Sequence, residues 1–233
     1  MQSPMKIILF YLFSSSIFSF GTLFVFGEED EFAKLDITSD KLPVKKESDQ
    51  WLRITVPFKL VNHPRLEALQ GSRPSTLSQA FNPKFIDDVK VKLWICFANK
   101  FKQNLLGSRG SFKDSDFYQY YDAEIEYQTL DFDRTTKNAV FLFPTMVAER
   151  DGFLGAKVKP IGYVIEISHA DSNFELSNAV YFDYRGATKE ILESFKSQAV
   201  SKSSENKGVL IPAHTIDASY LAGMGPVKVG DKK

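Results

Sequence analysis

Residues 51–61 carry the first strong pattern, with Leu52, Ile54, Val56, Phe58 and Leu60 alternating with Arg53, Thr55, Pro57 and Lys59. A two-residue period puts every apolar side chain on one face, as in a half-buried strand. Pro57 has no N–H for a ladder, which predicts an edge position or a bulge there. Val89, Val91, Leu93, Ile95 and Phe97 repeat the pattern, but their alternate positions pass from Lys90 and Lys92 to Trp94 and Cys96. That change predicts a central strand whose second face becomes covered towards its end. In residues 118–132, Tyr121, Ala123, Ile125 and Tyr127 share one side, and Asp122, Glu124, Glu126 and Gln128 the other. Residues 138–143, 161–167 and 178–184 read as further strands, with shorter pieces at 33–38 and 209–212.

One segment has helical spacing. Across residues 188–200, Thr188 suits the cap, Glu190 the first turn, and Ile191, Leu192, Phe195 and Ala199 a single face. Pro144 predicts a single helical turn over 145–151. Residues 62–85 hold three Pro and Gly71, and form a long loop with a short helix at 65–69 or 77–81. A connection of that length is a candidate contact surface. Residues 99–116 read as a polar loop. About seven strands without intervening helices predict a mainly β chain, an antiparallel β-sandwich with one amphipathic helix near the C-terminus.

The N-terminus follows a different rule. After Lys6, residues 7–26 run without a charge, and then come Glu28, Glu29, Asp30 and Glu31. This is the layout of a secretory signal peptide, with cleavage after Gly27. An uncleaved anchor competes with it, because 20 apolar residues at ~1.5 Å each reach across a ~30 Å hydrocarbon core. The positive end stays inside in both cases, so the remainder is expected to be periplasmic, on the outer surface or secreted. Lipoprotein processing needs a Cys at the cut, and Cys96 is far from it. A pilin keeps its hydrophobic helix behind the cut and carries an acid within it; here the acids follow the segment.

Composition then bounds the chemistry. The 233 residues carry 29 Lys+Arg against 29 Asp+Glu, and removal of residues 1–27 leaves 206 residues at net −1. Without a basic field, nucleic acid is not an expected partner. One cysteine excludes a disulfide framework and a multi-Cys zinc site. Cys96 reads as a buried small hydrophobe, with an intermolecular disulfide as the alternative. No N-x-[ST] acceptor follows the leader, which disfavours a glycosylated eukaryotic ectodomain.

Catalytic motifs are lacking: there is no G-x-S-x-G, H-E-x-x-H, P-loop, Rossmann fingerprint or C-x-x-C. His63, His169 and His214 lie in separate loops, and nothing in their spacing indicates a metal. Asp114-Ser115-Asp116 and Asp131-Phe132-Asp133 have alternate carboxylates of the kind calcium favours, without an EF-hand pattern. Glu124 and Glu126 share a strand face and read as solvent contacts. No cofactor, metal or catalytic residue is expected. The most distinctive local feature is Phe117-Tyr118-Gln119-Tyr120-Tyr121, and Tyr118, Tyr120 and Tyr121 are the candidate aromatic binding patch.

In order along the chain, Tyr121-Asp122-Ala123-Glu124, Phe141-Leu142-Phe143-Pro144 and Gly162-Tyr163-Val164-Ile165 stand behind a hydrophobic leader. This arrangement resembles exported Ig-like proteins encoded with type IV pilus machinery in verrucomicrobial bacteria. The resemblance implies an Ig-like sandwich, no catalytic residues and a place beside a pilus or secretion system. The expected organisation is a signal peptide or anchor at 1–27, a polar lead with an edge strand at 28–50, a sandwich at 51–212 and a tail at 213–233. The expected function is a non-catalytic structural or interaction component binding other envelope or pilus proteins. A secreted module binding a glycan or a host or surface ligand is the alternative, and an unrecognised hydrolase using His169 or Glu124 ranks last. The membrane is a partner only through an uncleaved leader.

Overall fold

The computed structural model describes residues 22–26, 33–37, 42–64, 81–107, 110–155, 157–170, 177–184 and 186–216. Most of the leader, the short helices read within 62–85 and the tail from 217 lie outside the described residues. Along the chain run β1 (Thr22–Phe26), β2 (Ala33–Leu35), β3 (Val44–Lys46), β4 (Trp51–Leu60) and β5 (Phe85–Ala98). Helix α1 (Lys100–Leu106), β6 (Tyr118–Asp131), β7 (Lys137–Pro144) and α2 (Thr145–Arg150) follow. Then come β8 (Gly162–His169), β9 (Ser177–Phe182), α3 (Lys189–Lys202) and β10 (Ile211–Pro212).

The protein is mainly β, with two antiparallel sheets and a few helices, an arrangement compatible with a β-sandwich. The first sheet has the order β1-β9-β8-β5-β6 and the second β10-β7-β4-β2, with β3 also paired to β4. Alternation decides what lies between them: Leu93, Ile95 and Tyr163 of one sheet share a core with Ile54, Val56 and Phe141 of the other. Each such side chain contributes about 1.5–3 kcal/mol by leaving water. The outer face of the first sheet is covered by α3, where Leu192, Phe195 and Ala199 pack on Trp94, Cys96 and Val164. This is the late covering read from Trp94 and Cys96. Among the described residues no helix is long and apolar enough to cross a membrane.

Two readings change. Strand β4 is central rather than at an edge, because β7 lies on one side and β2 with β3 on the other. Pro57 is accommodated because its carbonyl accepts from Asp36 N–H, so its missing donor faces the break between β2 and β3. Residues 99–116 are not all loop. Asn99 caps α1, accepting from Lys102 N–H at 2.9 Å, but α1 spans only seven residues and buries none of them, so its pattern is too short to stand out from a polar loop. The polar lead supplies β2 and β3 to the second sheet, and β1 comes from within the stretch read as leader.

Candidate binding groove

Consecutive tyrosines on a strand must part company. On β6, Tyr121 turns inward, 0% exposed, while Tyr120 turns to the outer face. Tyr121 therefore leaves the proposed surface patch: it joins the register row Tyr181–Tyr163–Ile95–Tyr121 inside the core. The same alternation that aligns it with Ala123 and Ile125 sends it there. Tyr120 is also only 2% exposed, because α3 lies over it. Of the three candidates, Tyr118 alone is half-buried and open to solvent.

The outer row explains the shape of this surface. Phe182, Gly162, Cys96 and Tyr120 are neighbours across four strands, two large residues flanking two small ones. Phe195 of α3 enters the dip, stacked on Phe182 at 4.7 Å between centroids and lying 5.9 Å from Tyr120. Tyr118 meets Phe182 edge-on at 6.2 Å. Beside these rings opens a groove of about 320 Å³, floored by Tyr118, Tyr120, Phe182, Ile191 and Phe195 and rimmed by Ser115, Glu190, Ser194 and Gln198. Tyr120 Oη donates to Gln198 Oε1 at 3.4 Å. The Glu190 carboxyl is held below its usual range by its hydrogen bond with Thr188, then by its own backbone N–H. Thr188 occupies the cap position without a side-chain cap bond. Aromatic faces beneath a rim of hydroxyl, amide and carboxylate groups can hold a ligand with both apolar and hydroxylated surfaces.

Burial keeps the chemistry under the groove quiet. Cys96 is free and buried, and burial, more than any neighbour, pushes its thiol well up from the ordinary value. Burial likewise raises the Tyr120 hydroxyl, helped by Cys96, and the Tyr121 hydroxyl, helped by Asp151. In each case the folded chain keeps a proton that the unfolded chain releases first. Stability is therefore complete below about pH 8.5 for the thiol and about pH 10 for the tyrosines, and falls as pH rises further. The urea midpoint is expected to be lower at about pH 10.5 than at about pH 8; an unchanged midpoint would contradict this arrangement.

The other candidates separate. His63 and His169 line a second cleft of about 220 Å³ with Asn82, Asp87 and Thr129. His63 Nε2 lies 3.0 Å from Phe85 O, and its ring stacks on Phe81 at 5.2 Å. His214 sits apart, in the short turn Ala213–Thr215 beside the second sheet. Among the described residues no group of three or more His, Cys, Asp or Glu could hold a metal ion. Asp116 accepts from Lys113 N–H at 2.8 Å within a surface turn, and Asp114 accepts from Gln103 of α1 at 3.1 Å. Asp133 accepts from Lys137 and then Thr135, which hold its carboxyl low. Glu126 faces Lys90 across the strands at 3.7 Å, and Glu124 pairs in register with Lys92.

Sequence reading missed Phe182, Ile191 and Phe195 as groove residues, since a strand and a helix stripe both read as core. It also missed that Phe101 and Leu105 of α1 stand 59% and 57% exposed. No protein-family model, curated protein or solved structure matches this chain significantly.

Proposed function

We propose that this chain is an exported, non-catalytic Ig-like sandwich that acts as an interaction component of a bacterial cell envelope, beside a pilus or secretion assembly. The groove between β6 and α3 carries this reading: an aromatic floor left open beside a helix that covers the rest of that face. The hydrophobic leader supports export, and the exposed Phe101 and Leu105 supply a further apolar contact surface. The ligand class that best fits the groove is a glycan, whose apolar ring face stacks on aromatics while its hydroxyls meet Ser115, Ser194, Gln198 and Glu190.

Two measurements test it together. The exported chain is recovered from its native envelope for co-purifying partners, and the same protein is applied to a glycan array. Tyr118→Ala is expected to weaken binding by about tenfold or more, while changing folding stability by less than about 1 kcal/mol because Tyr118 is half-exposed. A freely diffusing monomer that binds no partner and no glycan sinks the proposal.

A further inference from the structure

We propose that the outer edge of β9 is an acceptor for an apolar strand donated by another envelope protein. The inference rests on the export reading above and names the partner that reading leaves open. β1 pairs antiparallel with β9 over five residues, from Thr22 opposite Phe182 to Phe26 opposite Asn178. Yet residues 22–26 lie within the uncharged stretch that reads as leader. Cleavage after Gly27 takes β1 away. Retention as an anchor draws the same residues into a membrane helix, which cannot also pair with a strand. Either fate of the leader leaves the outer row of β9 N–H and C=O groups without β1.

Among the described residues, β1 is the only strand paired to that edge. Strand β9 is Ser-Asn-Ala-Val-Tyr-Phe, without the lysine or proline that blunts an exposed edge. The opposite edge of the same sheet differs, because Asn206, in the turn Ser203–Asn206, donates to Tyr120 O at 3.0 Å. One edge is thus capped in part by the chain's own C-terminal region, and the other is paired with a segment from the stretch read as leader. β1 also shows what the slot accepts: five extended residues, Thr-Leu-Phe-Val-Phe, uncharged and antiparallel to β9. Strand addition of this kind draws affinity from main-chain hydrogen bonds and specificity from alternate side chains.

The test uses the chain expressed from its first residue and recovered after export. Intact mass reports the leader, and amide hydrogen exchange reports residues 177–182. The probe is a synthetic peptide carrying residues 21–27 between flanking lysines. Alternate β9 amides are expected to exchange fast alone and about tenfold more slowly with the peptide. A peptide with Phe24→Pro and Val25→Pro should give no protection, since one of the two amides must face β9. A leader-free chain whose β9 exchanges fast and ignores the peptide overturns the inference but leaves export standing. An exported chain that keeps residues 22–26 protected together with β9 overturns the inference and the leader reading of that stretch, because the slot never opens. Protection that grows with protein concentration and no peptide assigns the edge to a second copy and also overturns it.

Discussion

Gly162→Ala is expected to destabilise the protein by about 3 kcal/mol, the upper end for one added methyl in a packed region. A Cβ at this position would lie 2.6 Å from Phe195 Cζ and 2.6 Å from the Tyr181 carbonyl oxygen. The first contact belongs to the helix, the second to the backbone of the neighbouring strand, and neither can yield freely. Phe195 is itself held by stacking on Phe182, so moving it disturbs the floor of the groove as well. Urea unfolding measures the loss. Adding Phe195→Ala should recover part of the clash, making the double variant less destabilised than the sum of the singles. The Tyr181 oxygen remains, so recovery is incomplete. A Gly162→Ala protein within about 0.5 kcal/mol of the parent would show that the sheet and helix do not approach this closely.

Asp151→Ala is expected to cost a further large increment, about 2–4 kcal/mol, because it strips buried donors of their acceptor. Asp151 is 2% exposed and Asn99 3%, and Asn99 Nδ2 donates to Asp151 Oδ1 at 3.0 Å. Tyr121 Oη approaches Asp151 Oδ2 at 3.2 Å, and Arg150 Nε and Nη2 donate at 2.9 Å. Arg150 remains 63% exposed, so water can take over its guanidinium. The cost falls on Asn99, which also caps α1 through its other side-chain atom. Asp151→Asn keeps an acceptor for Asn99 and should lose only about half as much. Hydrogen exchange should show α1 amides opening first in the alanine variant. A loss below about 1 kcal/mol would mean that the network does not hold the helix in place.

Much of the strand layout was legible because alternation reports a buried face directly. Residues 51–61 and 89–97 became β4 and β5, and 188–200 became α3, within a few positions of their ends. The groove was legible only in part. Tyr118 was named, but Tyr120 lies under α3 and Tyr121 faces the core, since a run of aromatics looks apolar on both faces. Helix α1 escaped because it is only seven residues long, and its one apolar pair at helical spacing, Phe101 and Leu105, is too short a stripe to separate from a loop. Pro57 misled for a related reason: a missing donor excludes one hydrogen bond, not a central place, and β2 and β3 stop short of it on that side.

What the sequence determined by itself is local. A two-residue period chooses strand and face, and a 3.6-residue period chooses helix. Neither needs a partner to be recognised. What only the tertiary structure decided is which faces meet. It set Gly162 and Cys96 between Phe182 and Tyr120, put Phe195 into the dip they leave, and brought His63 beside His169. It also laid residues 22–26 along β9. These pairings join residues far apart in the chain, and strand order and register follow from packing two sheets and a helix together, which no short window of sequence encodes.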